Sequence, residues 1–306
     1  MLSDAKQAFA DNIARQKSWG EFFASREKVA ADEQRIQRID TAVTKAGKAG
    51  QTTETQTVQN TTNNGVYRLV TEEQVRAIMI GQIGNNKQKR AELEKNLPDY
   101  TRRLNETMQQ FGINTPLKQA MFLATISQES IGMTTLVEDP SKFKSSQRPD
   151  KGRGIIQLTG DNNYKAASER FDWGKFTVQK DKNGKEIKVF ISWDLINDRN
   201  LATKPDYAFP IAGWYWSENA ECNKKIADSP QADLQDFREV SSLVDSGRPN
   251  GAINGWGDRL ERYKDALTAL NVETSDELRQ NLELAIKQNA GRNLKPGEAA
   301  FMPRKK

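Results

Sequence analysis

Carboxylates are the side chains of this chain best suited by type to acid–base chemistry, because its 306 residues include no histidine. The lack of histidine excludes Ser-His-Asp and Cys-His nucleophilic schemes and histidine-ligated zinc. The lone cysteine, Cys222, excludes both a thiolate cluster and an intrachain disulfide framework. We therefore expect no metal and no cofactor. A hydrolase built on this chain would use Asp or Glu as acid and base.

Glu129 is the first candidate acid. Thr115 and Pro116 predict a helix start, with a hydroxyl N-cap followed by proline, and Phe122 and Ile126 share a face with Glu129. An apolar face and the negative end of a helix both favour the protonated carboxylic acid. A glycosidase needs such a group to protonate its leaving group. The ordinary alternative is a surface glutamate at a helix end.

A second carboxylate is available on the segment that follows. Glu138 lies past Gly132 on a predicted loop that can fold across a cleft. Two carboxyl groups flanking the scissile bond are the minimum for acid and base roles in glycoside hydrolysis. Asp139 and Asp150 are rival partners, and the pattern of residues does not choose among the three.

Polar and aromatic side chains elsewhere suit a sugar ligand. The segment IIQLT predicts a short strand in which Gln157 and Thr159 face one side, where they can orient a water or bind sugar hydroxyls. An ordinary edge strand has the same pattern. Arg259 can hold a carboxylate, bind substrate or form a surface salt bridge. The aromatic residues 214–216 can stack on sugar rings, although core packing is the commoner role in a helix.

The elements that must position these residues divide the chain into four parts. Residues 1–45 predict a helical docking segment with an imperfect heptad pattern, and 46–70 a flexible linker rich in Thr, Gln, Asn and Gly. A capping box opens 71–272, the expected catalytic domain, and 273–306 follow as a C-terminal helix and loose basic tail. With a hairpin near 175–191, the class is α+β, predominantly α-helical, with one or two small β-hairpins and an N-terminal helical extension.

Charge and hydropathy bear on partners and location. The net charge is +5 and the mean hydropathy is −0.79. Lys and Arg are scattered, so we expect no nucleic-acid partner, while an anionic cell wall suits the charge. The longest apolar stretch is too short to span a membrane, and the N-terminus has no apolar signal-peptide core. We expect synthesis in the cytoplasm without a signal peptide.

Four blocks of the sequence resemble, in order, motifs of glycoside hydrolase family 19, which contains chitinases and phage endolysins with a lysozyme-like fold. The resemblance covers about residues 71–272, two thirds of the chain. The block GRGIIQLT is the most specific of the four. The blocks are TPLKQAMFLATISQES, KGRGIIQLTGDNNY, LATKPDYAF with IAGWYWSENA, and NGWGDRLERY.

The resemblance implies a lysozyme-like fold and a role for each matching residue. Glu129 becomes the general acid, and Glu138 becomes the general base that activates a water for inversion at the anomeric carbon. The remaining matches fall on family positions that contact the substrate or orient the water, or that belong to the last of the four motifs. They are Gln157, Thr159, Asn163, Asn254 and Arg259.

The chain also departs from the family pattern. Gln128 stands where the family has histidine before the acid, and residues 245–247 read Asp-Ser-Gly in place of Asn-Gly-Gly. Asp150 and Lys151 replace a Tyr-Tyr pair, and the 175–191 hairpin looks like an insertion. The acid–base pair survives these changes, whereas chitin specificity becomes doubtful.

The leading hypothesis is therefore a muramidase that cuts the β-1,4 MurNAc–GlcNAc glycan of peptidoglycan in the periplasm. The match is close to phage endolysins and to the lysozyme domain of type VI secretion effectors. An immunity protein, or phage or secretion machinery bound through the N-terminal helix, would be the protein partner. The alternatives are a chitinase and a non-catalytic wall-binding or phage structural module.

Overall fold

The computed structural model describes residues 60–62, 65–138, 151–180, 183–226 and 234–298. All of them belong to one compact unit, Gln59–Lys306. The predicted docking segment 1–45, most of the linker 46–70, Asp139, Asp150 and the end of the basic tail lie outside the described residues. The last part of the expected linker forms a short antiparallel hairpin, with strand β1 at Asn60–Thr62 and β2 at Gly65–Tyr67.

Helices dominate the described chain, which confirms the predicted α+β, mostly helical class. A 3-10 turn at Arg199–Thr203 and a π-helical turn at Tyr215–Asn219 flank one of the helices. A second antiparallel hairpin, β3 (Gly174–Lys180) and β4 (Glu186–Trp193), confirms the one expected near 175–191. The helices are α1 Glu72–Ile83, α2 Lys87–Gln110, α3 Pro116–Ser130, α4 Asp161–Arg170, α5 Asp194–Asn197, α6 Pro205–Trp214, α7 Cys222–Lys225, α8 Leu234–Ser246, α9 Trp256–Ala269 and α10 Asp276–Asn289.

The predicted helix starts occur where the caps indicate. Thr71 accepts a hydrogen bond from the Gln74 backbone at 3.3 Å, and its own N–H donates to the Gln74 side chain at 3.0 Å, so the capping box is complete. Thr115 caps α3 by accepting from Lys118 N at 3.2 Å. At α10 the N-cap is Ser275, whose Oγ accepts from Leu278 N at 3.1 Å. These side chains bind amide groups that lack a partner within the helix.

Helix α3 is the buried centre of the fold, as its all-round apolar sequence predicts. Its residues from Gln119 to Ser127 are all buried, and the helix contacts α1, α8 and α9. Phe122 packs edge-on against Trp216 with ring centroids 5.4 Å apart. Trp214 and Trp216 are buried, so these two rings pack in the core and are not sugar platforms.

The segment IIQLT is not the strand that the sequence predicts. Residues Gly154–Gln157 form a tight turn, closed by mutual backbone hydrogen bonds of 3.1 and 2.8 Å between Arg153 and Leu158. Gly154 and Gln157 have φ of +77° and +54°, a left-handed conformation that interrupts any strand. Gln157 and Thr159 therefore do not share a strand face, because Gln157 lies within the turn and Thr159 follows it.

The segment after α10 is not loose as far as the structure describes it. Ile253 and Leu294 exchange backbone hydrogen bonds of 3.0 and 2.8 Å, and Gly297 N donates to Asn250 O at 2.9 Å. We call residues 292–298 the C-terminal strap. Its composition predicts a tail, but its backbone pairs with the loop 250–255. Among the described helices, none is long and apolar enough to cross a membrane.

Candidate functional site

Glu129 lies in the last turn of α3 and reaches the surface at the end of an otherwise buried helix. Its side chain is 16% exposed, and its Oε1 accepts a hydrogen bond of 2.6 Å from Arg259 Nη2. Arg259, on the first turn of α9, is only 3% exposed. The sequence predicts a helix C-terminus and an apolar face around Glu129. The structure adds a buried cation, Arg259, beside the carboxylate.

Arg259 also contacts a second carboxylate. The same Nη2 lies 3.2 Å from Oδ1 of Asp245, which is in the last turn of α8 and is 12% exposed. Arg259 Nε donates to the backbone oxygen of Asn254 at 2.9 Å. Two carboxylates and one guanidinium carry a net charge of −1.

Asp245 connects this cluster to the turn before α9. It accepts hydrogen bonds from the Asn254 backbone at 3.0 Å and from Asn254 Nδ2 at 3.0 and 3.3 Å. Asn254 is exposed at this turn. The structure thus brings together three predicted residues, Glu129, Asn254 and Arg259, and adds Asp245, which sequence reasoning passed over as a departure from the family pattern.

The charges of the cluster act on their surroundings. Burial opposes the charge of Arg259, but the negative charges of Glu129 and Asp245 outweigh it and raise the pKa of the guanidinium. Burial raises the pKa of Tyr215, and Cys222 and the two carboxylates raise it further. Tyr215 is therefore a neutral phenol at physiological pH, close enough to the cluster to sense its charge.

The turn at Asn254 and Gly255 is fixed from two sides. Gly255 has φ +59°, and its N–H donates to Asn293 Oδ1 of the C-terminal strap at 2.7 Å. A Cβ at position 255 would lie 3.0 Å from Gln128 Nε2, so glycine lets the chain pass close to Gln128. Gln128 Oε1 and Arg259 Nη1 are buried without a hydrogen-bond partner in the described part of the chain.

Glu138 lies on a small ladder of backbone bridges. Val137 pairs with Arg153, which pairs in turn with Leu158. Glu138 N donates to Gly152 O at 3.0 Å, and Glu138 Oε2 accepts from Gly152 N at 3.0 Å. This carboxylate is held by the backbone and is the last described residue before 151. Its rivals Asp139 and Asp150 fall outside the described residues.

Gln157 connects this ladder to the loop after α3. Its Nε2 donates to Gly154 O at 2.7 Å and to Thr135 O at 3.2 Å. A Cβ at position 152 would lie 2.7 Å from Gln157 Oε1, so Gly152 and Gln157 pack directly together. Gln157 therefore braces the loop that carries Glu138, and its amide nitrogen already has protein partners.

Thr159 and Asn163 bind each other at the start of α4. Asn163 Nδ2 donates to the Thr159 backbone oxygen at 2.8 Å, and Thr159 is exposed. The predicted residues thus fall into three groups: the Glu129 cluster, the Glu138–Gln157 loops, and the Thr159–Asn163 corner. Chain spacing could have drawn attention to Asp245, because it ends a helix shortly before the Asn-Gly turn.

Comparison of the sequence with protein-family models finds no match, and comparison with curated proteins finds none either.

Proposed function

We propose that the unit Gln59–Lys306 is a peptidoglycan hydrolase of the muramidase type, with Glu129 as general acid. The observation that carries the proposal is the Glu129–Arg259–Asp245 cluster. A partly exposed carboxylate at the end of a buried helix, hydrogen-bonded to a buried arginine, is a rigid and accessible proton donor or acceptor. Most surface glutamates have no such support.

The cluster suits proton donation to a leaving group. In its protonated form, Glu129 transfers its proton to the glycosidic oxygen as the bond to the anomeric carbon breaks. The carboxylate left behind is stabilised by the hydrogen bond from Arg259 Nη2. Asp245 also contacts the Arg259 guanidinium, so two carboxylates share this cation.

Glu138 is the proposed general base. It activates a water that attacks the anomeric carbon from the face opposite the leaving group, which inverts the configuration. Such enzymes keep the two carboxyl groups roughly 6.5–9.5 Å apart to admit that water. The hydrogen bonds between Glu138 and Gly152 would hold the base in place, and Gln157 would stiffen the loop through its bond to Thr135.

A peptidoglycan substrate suits the charge of the protein. The net charge of +5 favours an anionic wall polymer. Within this proposal, the protein acts in the periplasm of a host or target bacterium, delivered as a phage lysin or through a type VI secretion system. Chitin, the neutral relative of the glycan, is the control substrate.

The test compares wild type with Glu129→Gln on two substrates. We expect wild type to clear suspensions of outer-membrane-permeabilised bacteria and Glu129→Gln to lose that activity by at least about 100-fold. The matched control is Glu94→Gln, which alters an exposed glutamate paired with Arg76 and should clear the cells normally. Activity on colloidal chitin alone would contradict the peptidoglycan assignment. If the wild-type protein binds the wall without cleaving it, the assignment of an enzymatic activity is wrong.

A further inference from the structure

We propose that the β3–β4 hairpin binds the surface of a bilayer that contains anionic lipids. The hairpin carries four of the eight exposed large hydrophobic side chains found in the described residues. They are Val178, Ile187, Phe190 and Ile191. Val178 and Ile191 are 62% and 58% exposed, respectively. Exposed apolar groups gathered on one element mark an interaction surface.

The hairpin is attached to the body of the unit mainly at its base. There, Gly174 N donates to Asp172 O at 3.0 Å, and Asp194 N donates to Trp173 O at 2.9 Å. Beyond the base the two strands pair with each other in a sheet of their own. In the described structure, no third strand covers either outer edge. The ribbon can therefore approach a surface without rearrangement of the core.

The exposed apolar side chains lie on both faces of the ribbon. Phe176 pairs with Phe190, so Val178 and Phe190 share one face, while Ile187 belongs to the other face because side chains alternate along a strand. A groove on a protein would cover one face of a ribbon, whereas a bilayer interface can surround both. Three of the four side chains are on β4, so β4 is the strand that contributes most to the contact with the interface.

The charge of the hairpin selects anionic lipids. Residues 174–193 contain five lysines against two acidic residues, a net charge of +3. Lys175 lies before the apolar cluster, Lys180 and Lys185 lie beyond it, and all three are exposed. Each lysine at an anionic membrane surface adds about a fivefold gain in affinity. Lysine stems can follow apolar surface while the ammonium groups reach the lipid phosphates.

Two features argue against addition of another strand to the hairpin. The register shifts between Lys175 and Phe176, which makes a bulge in the pairing, and lysines lie along both strands. Bulges and edge lysines are features that hinder edge-to-edge pairing with a second chain. The unpaired backbone edges also limit the depth of insertion, because these groups need water. The hairpin therefore binds at headgroup level.

Flotation of the full chain with lipid vesicles tests the proposal, which does not depend on hydrolysis. We expect binding to vesicles of equal parts phosphatidylethanolamine and phosphatidylglycerol, weakened by salt, and none to phosphatidylcholine vesicles. The double substitution Phe190→Ser with Ile191→Ser should lower the affinity by at least about tenfold. Lys175→Gln with Lys180→Gln should lower it roughly 25-fold. Leu284→Ser, at another exposed hydrophobic residue on α10, is the matched control and should bind normally.

The outcomes separate a bilayer from other partners. Circular dichroism checks that each variant is folded, and the lysine variant tests the proposal if the serine variant unfolds. Equal binding of wild type to both kinds of vesicle, or binding to neither, would overturn the proposal. So would a dimer of wild type that the serine variant loses, because the partner would then be a second copy of this chain.

Discussion

At the scale of single residues, Arg259 is the part of the site whose chemistry is most constrained. One nitrogen, Nη2, contacts both Glu129 and Asp245, while Nε binds the backbone of Asn254. A planar guanidinium can donate hydrogen bonds to all these partners at once. A lysine ammonium on a flexible stem does not reproduce that geometry. Arg259 therefore sets the position of Glu129 as well as its electrostatic surroundings.

Arg259→Lys is expected to retain the fold but to lower the rate of sacculus digestion by roughly 100-fold. The positive charge stays, while the shared hydrogen bonds to Glu129 and Asp245 are lost. The rate of release of soluble fragments measures the effect. Arg170→Lys, at an exposed pair with Glu218, is the control and should digest normally. A lysine variant as active as wild type would show that the shared geometry is unimportant.

The sequence could propose these residues singly but could not join them. Glu129 stands out because it ends an apolar helix, and Arg259 because it follows an Asn-Gly turn. Their contact joins positions 130 residues apart, which depends on the packing of α3 against α9 and has no local signal. Asp245 was missed for the same reason, because its partners Asn254 and Arg259 come from another element.

At the scale of elements, the C-terminal strap belongs to the site and is more than a tail. Asn293 of the strap accepts a hydrogen bond from the Gly255 N–H. Leu294 pairs with Ile253, which comes just before the same turn. This turn leads directly into the first turn of α9, which carries Arg259. The strap therefore acts on Glu129 indirectly, by holding the turn from which Arg259 projects.

Asn293→Ala is expected to lower kcat for glycan cleavage roughly tenfold with little change in KM, since about 1.4 kcal/mol of positioning is lost. A thermal unfolding scan should show a folded protein. Aspartate at position 293 keeps the acceptor for Gly255 N–H, so Asn293→Asp should restore most of kcat. Gln280→Ala, an exposed side chain of α10, is the control. An unchanged kcat in Asn293→Ala would contradict the positioning role.

Local signals predicted the elements that local interactions stabilise. Thr71 and Thr115 cap helices where their sequences indicate, and the Asn-Gly pair at 183–184 joins β3 to β4. The IIQLT segment was misjudged because β-rich residues outweighed the glycine at 154, whose left-handed backbone starts a turn. The sequence does not predict the strap because its pairing with the loop is a single β-bridge, between Ile253 and Leu294. The residues around this bridge do not show the alternation of apolar and polar side chains that marks a strand.

At the scale of the whole molecule, one core supports the described unit, and Cys222 reports on it. Its thiol is fully buried, and its sulfur lies 4.0 Å from Val240 O. Burial disfavours the thiolate and raises the pKa of Cys222 well above its usual range. A raised pKa and an enclosed position both predict an inert thiol in the folded state.

Thiol labelling should therefore follow unfolding of the unit. We expect an aromatic disulfide reagent at pH 8 to react with Cys222 slowly in native protein and at once in denaturant. The denaturant midpoint for labelling should coincide with the midpoint from circular dichroism. Fast labelling without denaturant would mean that the α7–α8 region opens independently of the core.

Mass spectrometry of fragments released from purified sacculi tests the proposal that Glu129 is the general acid in cleavage of the glycan. Wild type is expected to release muropeptides with MurNAc at the reducing end. Glu129→Gln should release none above background while keeping the wild-type unfolding curve. Fragments with GlcNAc reducing ends, no fragments from wild type, or equal release by Glu129→Gln would contradict it.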